Sequence, residues 1–181
     1  MNYDINIYKA TEDNSSRFIL GNVGSKNLIV VGLNPSTADG ITPDRTIKKV
    51  MGFAQKNNFD GFIMLNIYPK RETKPVNLPH FIDENIFEEN INYIESLVEE
   101  YENSVVLAAW SENVIHRFFL IESIKRINDV FVKKNIKWIK LGELTRSGHP
   151  RHPLYVSYDT DLTKFNVEEY IENLLKKHNR N

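Results

Sequence analysis

Apolar residues follow two rhythms along this chain. Leu28-Ile29-Val30-Val31, Phe62-Ile63-Met64-Leu65 and Val105-Val106-Leu107-Ala108-Ala109 are short, unbroken apolar runs, the mark of strands buried on both faces of a sheet. Residues 136–141, which include Trp138, read as a fourth main strand. Between these runs the spacing turns helical. Ile47, Val50, Met51 and Ala54 recur behind Thr42, read as an N-cap, and Pro43, a favoured first helical residue. Residues 83–101 carry Ile86, Phe87, Ile94, Leu97, Val98 and Tyr101 on a long second helix. Ser111 is placed to cap a third, with Ile115, Phe118, Phe119 and Ile127, and a last helix carries Val167, Tyr170, Ile171, Leu174 and Leu175. Residues 17–20 and 28–33 read as a short N-terminal hairpin joined by the turn Gly21-Asn22-Val23-Gly24. Strands alternating with helices predict a three-layer α/β/α domain around a parallel sheet. No linker, repeat or low-complexity tract interrupts it, so residues 1–181 are read as one domain.

Composition narrows the class of chemistry. The absence of cysteine excludes disulfides, thiolate metal sites and cysteine nucleophiles together. Twenty-three Lys and Arg against 24 Asp and Glu leave a net charge of −1, which argues against a general duplex binder held by phosphate but allows a local basic patch. The start, Met1-Asn2-Tyr3-Asp4, lacks the charged and apolar regions of a signal peptide, and no apolar run approaches a membrane span. The expectation is a soluble, cytoplasmic protein without a membrane partner.

Candidate chemistry gathers where the strands end. After the first main strand come Asn34, Ser36, Thr37 and Asp39, stiffened by Pro35. The second ends in Asn66, followed by Tyr68, Lys70 and Arg71; the third ends in Trp110 and Ser111. The fourth leads into Ser147-Gly148-His149-Pro150-Arg151-His152-Pro153-Leu154, which holds two histidines and an arginine between prolines. Ligands of parallel α/β sheets bind at the carboxyl ends of the strands, so these segments are expected to converge. Structural readings stand beside the functional ones. Asn34 and Asp39 fit Asx turns, Asn66 a bridge between loops, Trp110 a core position, and Lys70, Arg71 and Lys74 a solvated face. Histidine donates, carries charge or moves protons near neutral pH, which gives His149 and His152 a site role. Asp39, Asp44, His149 and His152 are conceivable metal ligands, but without an HExxH or DxD pattern the expectation is a site with no metal and no cofactor. Ser36 lacks the G-x-S-x-G elbow of a hydrolase nucleophile.

Taken in order, Gly32-Leu33-Asn34-Pro35-Ser36-Thr37-Ala38-Asp39, Asp44-Arg45-Thr46-Ile47, Asn66-Ile67-Tyr68, Ala108-Ala109-Trp110 and Gly148-His149-Pro150-Arg151-His152-Pro153-Leu154 resemble a mainly bacterial and phage family named domain of unknown function 1643. The resemblance spans roughly residues 17–155. A more distant one is to the uracil-DNA glycosylase superfamily, with Gly32-Leu33-Asn34-Pro35 similar to its first motif, Asn66 to its base-reading amide and His149-Pro150 to the start of its third motif. That resemblance implies a four-stranded parallel sheet between helices, Asn34 positioning a water, and His149 stabilising a departing base. Two residues, Arg151 and His152, separate the prolines where that superfamily has one, and an asparagine amide is no general base.

These readings combine into a uracil-DNA-glycosylase-like domain whose cleft binds a nucleobase, nucleotide or nucleic acid, single-stranded or damaged, with metal-free hydrolysis of an N-glycosidic bond as its chemistry. Asn34 and Asp39 organise water or sugar, Asn66 reads the base, and His149 or His152 meets the leaving group. Ser36, Thr37, Tyr68 and Trp110 line the site, and Arg71 and Arg151 meet phosphate. Two alternatives stay open: a non-catalytic nucleotide or nucleic-acid sensor, and a metal-assisted hydrolase of phosphorylated small molecules.

Overall fold

The unbroken apolar runs become the centre of one sheet. The structure, a computed structural model, describes residues 1–101 and 104–178. Its elements are β1 (Ile7–Ala10), β2 (Arg17–Asn22), β3 (Asn27–Gly32), α1 (Arg45–Lys56), β4 (Gly61–Asn66), α2 (Glu84–Val98), β5 (Val105–Ala108), α3 (Phe118–Lys133), β6 (Lys137–Leu141), β7 (Leu162–Lys164) and α4 (Val167–His178), with 3-10 turns at Pro75–Asn77, Glu112–His116 and Pro153–Tyr155. The strands lie in the order β1-β2-β4-β3-β5-β6-β7.

A four-stranded parallel sheet was expected; the observed sheet has seven strands and is mixed. The pairings β3–β4, β3–β5 and β5–β6 are parallel, and β1–β2, β2–β4 and β6–β7 are antiparallel. The added strands escaped the pattern for a physical reason. β1 and β7 are edge strands of four and three residues with no fully buried position, so neither displays an apolar run. The expected hairpin is also redrawn. β2 pairs with β1 on one side and β4 on the other, and β4 separates it from β3, with Met64 registered against both Leu20 and Val30.

Strand side chains alternate between two cores. Leu28, Val30, Phe62, Met64 and Leu107 face Ile47, Val50, Phe53 and Ala54 of α1. Ile29, Val31, Ile63, Leu65, Val106 and Ala108 face the other helices, represented by Phe87 and Ile94 of α2, Leu120 and Ile124 of α3, and Ile171 and Leu174 of α4. Each such Val, Leu, Ile, Phe or Met side chain withdrawn from water contributes about 1.5–3 kcal/mol, which explains why central strands are apolar at every position.

The cap of α1 differs from expectation. Asp44, not Thr42, is the N-cap, accepting from Ile47 N at 2.9 Å. The Thr42 and Ile41 amides are already committed to Asp39 Oδ1, at 2.7 and 2.8 Å, so this Asx turn delays the helix by two residues. Nor does Ser111 cap a helix. It has φ 59° and ψ −163° ahead of the turn Glu112–His116, and α3 starts only at Phe118. No helix among the described residues is long and apolar enough to cross a membrane.

Candidate functional site

The chain leaves β3 through α1 to reach β4 on one side, then returns through α2 to β5 on the other side of β3. Helices therefore part at the carboxyl ends of β3 and β5, opening the crevice such sheets use for ligands. A cleft of about 530 Å³ lies there. Gly32 and Met64 line it from the sheet, Asn34, Ser36 and Thr37 from the loop after β3, and 43–48 from the start of α1. Trp110, Ser111 and Asn113 contribute after β5, and His152, Leu154 and Tyr155 after β6.

Loops around the cleft are tied by their own polar groups. Asn34 Nδ2 donates to the carbonyls of Glu72 at 2.8 Å, Pro35 at 3.1 Å and Lys70 at 3.4 Å, binding the loops after β3 and β4 together. The Arg71 guanidinium donates to the Ser36 and Ala38 carbonyls, to Tyr8 Oη at 2.7 Å and to Asn14 Oδ1 at 3.2 Å. It braces the loop and does not line the cleft. Asp39 is likewise committed to its turn, and the Thr42 and Ile41 amides hold its carboxyl below the ordinary range. Ser111 has a backbone conformation that side-chain-bearing residues rarely adopt, the kind of strain that gathers at sites.

Asn66 ends β4 beside Gly32, with which it is in register. It is 0% exposed, and among the described residues neither Nδ2 nor Oδ1 has a hydrogen-bond partner. Its backbone carbonyl, in contrast, accepts from Asn90 Nδ2 at 3.1 Å. A Cβ at Gly32 would lie 2.5 Å from Met64 Cε and 3.3 Å from Asn66 Oδ1. The missing side chain of Gly32 thus leaves the space shared by the Met64 methyl group and the amide.

Arg17, at the start of β2, also lines the cleft and is only 2% exposed. One terminal nitrogen donates to Ala38 O at 2.9 Å, and Nε is buried without an acceptor among the described residues. Burial, seconded by the Arg71 charge, lowers its pKa to about 10, while Asp44 opposes the shift.

The two histidines part company. His152 lines the cleft, and its Nδ1 accepts from Leu154 N at 3.2 Å, so the neutral ring carries its proton on Nε2. Burial lowers its pKa, against the pull of Asp44. His149 is 3% exposed and does not line the cleft; its Nδ1 lies 2.9 Å from Tyr170 Oη, and that hydroxyl accepts from Trp110 Nε1 at 3.0 Å. Burial and Lys177 lower the His149 pKa, opposed by Glu112.

Several expected contributors are drawn into packing. Tyr68 is buried edge-on to Phe119, with its hydroxyl accepting from Asp83 N at 3.2 Å. Trp110 packs against Trp138, Phe165 and Tyr170, leaving little of it for a ligand. Arg151 is exposed and donates to the Glu143 carbonyl at 2.9 Å, outside the cleft. Among the described residues no group of three or more His, Asp or Glu side chains could hold a metal ion; of the four conceivable ligands only Asp44 and His152 line the cleft. Arg17, Lys48 and Tyr155 were not singled out from sequence. Arg17 reads as the polar flank of an extended run, whereas the exposed Tyr155, 82% accessible, adjoins a motif already in view.

The model of a family described as protein of unknown function (DUF1643) matches residues 17–154. No curated protein and no solved structure matches the chain.

Proposed function

The chain belongs to the DUF1643 family, whose function is unknown, and for it we propose a cleft that binds a nucleobase within a nucleotide or nucleic acid. The observation that carries this reading is the Asn66 amide, wholly buried, with donor and acceptor both unpartnered among the described residues. Leaving such groups unpaired costs about 1–3 kcal/mol each. An adjacent donor–acceptor pair is also what the edge of a nucleobase satisfies. Asn66 itself does not line the cleft, but Gly32 and Met64 do, and both the Met64 methyl group and Asn66 Oδ1 lie close to Gly32. The Met64 thioether side chain repacks readily, and a base reaches the amide by displacing its methyl group from Gly32. The Nε2–H of His152 then offers a second donor, and the exposed ring of Tyr155 offers a face for stacking.

The motif resemblance to uracil-DNA glycosylases supports the same ligand class. Binding is better supported than bond cleavage. Of the four residues assigned to the chemistry, Asn34 holds loop carbonyls through Nδ2, Asp39 serves its turn and His149 contacts Tyr170, which leaves His152 as the one that lines the cleft. The test is to incubate the protein with uracil-, hypoxanthine- and alkyl-base-containing DNA and with the matching nucleosides and nucleotides. Thermal stabilisation without released base identifies a binding protein; released base identifies a glycosidic hydrolase. Neither effect with any ligand refutes the reading.

A further inference from the structure

Arg17 poses a separate problem. A buried cation ordinarily has an anionic partner, yet among the described residues no carboxylate lies within 4.0 Å of its guanidinium. The one hydrogen bond its side chain makes among those residues is to the Ala38 carbonyl. The guanidinium fork is suited to two oxygens of one group, and this one lines the cleft.

The first turn of α1 lines the same cleft. Of its amides, Ile47 N donates to Asp44 Oδ1 and Lys48 N to Asp44 O, at 2.9 and 3.1 Å. Those of Arg45 and Thr46 precede the first intrahelical bond and make no hydrogen bond to a loop or side chain among the described residues, at the positive end of the helix dipole. Arg45 and Lys48 are exposed on this turn. Two carboxylates also line the cleft, but both are engaged: Asp44 as the cap, and Glu72 through Oε1 with Lys74 N at 3.0 Å.

We propose that Arg17 and the first turn of α1 form a subsite for a phosphate monoester. The nucleotide reading above supplies what that phosphate is attached to; the anion subsite itself stands on Arg17. A dianion seated there pairs the buried guanidinium and meets the two free amides, while Arg45 and Lys48 close the rim.

The test titrates the full chain with inorganic phosphate, followed by calorimetry and phosphorus NMR, and then with uridine, its 5′-monophosphate, and a single-stranded oligonucleotide with and without a 5′-phosphate. The variants are Arg17→Met and the exposed pair Arg45→Gln/Lys48→Gln. Saturable 1:1 phosphate binding is expected, weakened about 10- to 100-fold by Arg17→Met and several-fold by the pair. The phosphorylated nucleoside or oligonucleotide should outbind its unphosphorylated form in the parent and lose that advantage in Arg17→Met; which of the two does so tells a free nucleotide from a nucleic-acid end. Phosphate binding that is absent, or equal in parent and Arg17→Met, overturns the proposal. Should Arg17→Met fail to fold, unchanged phosphate affinity in the surface pair overturns it equally. If the unphosphorylated ligand binds and phosphate adds nothing, the subsite falls and the base-binding cleft stands. Arg17-dependent phosphate binding with no gain from any attached nucleoside leaves the subsite standing and refutes the base-binding cleft.

Discussion

Replacing Asn66 by leucine should make the free protein more stable while removing its ligand response. Leucine keeps the branched heavy-atom skeleton of asparagine and discards the two polar atoms that lack partners among the described residues. Relief of their desolvation is worth about 1–3 kcal/mol for each group. Against this stands the larger size of two methyl groups than of the oxygen and nitrogen they replace in a packed interior, a cost of about 1–3 kcal/mol, held at the lower end because the neighbouring Met64 side chain is adaptable. The balance is a stabilisation of about 2 kcal/mol, or roughly 4–8 °C in Tm for a chain of this size. Chemical denaturation with unchanged m-value and a thermal melt measure it. Asn90→Leu is the internal contrast. Its Nδ2 donates to the Asn66 carbonyl at 3.1 Å, while its Oδ1 is buried without a partner among the described residues, so the bond lost and the desolvation relieved, about 1 kcal/mol each, offset, and little net change in stability is expected. If Asn66→Leu instead destabilises by about 1 kcal/mol or more, its amide is hydrogen-bonded in the free protein, and the argument from an unpaired amide fails.

Other expectations follow from the same geometry. Gly32→Ala places a methyl group against Met64 Cε and near Asn66 Oδ1; a modest stability loss of about 1 kcal/mol with abolished nucleoside binding is expected in parallel melts and titrations. Asp44→Ala removes the α1 cap bond to Ile47 and should cost about 1 kcal/mol in denaturant unfolding. His152 has its folded-state pKa lowered by burial, below an ordinary 6.5. The unfolded chain therefore binds the proton more readily: the contribution is complete above that ordinary value and is lost as pH falls through the folded-state one. Stability measured from about pH 7 down to 5 should fall less steeply in His152→Gln than in the parent, and identical slopes would contradict the assignment.

Much of the architecture was legible because burial on two faces leaves unbroken apolar runs. β3, β4 and β5 announced themselves in Leu28–Val31, Phe62–Leu65 and Val105–Ala108. β1 and β7 did not, since short edge strands with exposed positions look like loops. The site was legible in part for the same reason: strand order brings Gly32–Thr37, Ser111 and His152 to one crevice whatever the loops do in detail. What pattern could not reveal was the direction each loop side chain takes. His149 and His152 share one short loop, yet one contacts Tyr170 of α4 and the other lines the cleft. Tyr68 and Trp110, both at strand ends, fill the core between sheet and helices. Arg17 is invisible to pattern reading because its surroundings are long-range, its side chain bonding to the Ala38 carbonyl across 21 positions of sequence.

The most direct measurement is a crystal structure of the full chain with uridine 5′-monophosphate bound. The account predicts the base edge within hydrogen-bonding distance of the Asn66 amide, Met64 turned aside, and the phosphate beside Arg17. A nucleotide bound with its base away from Asn66, or no nucleotide in the cleft at saturating concentration, would contradict it.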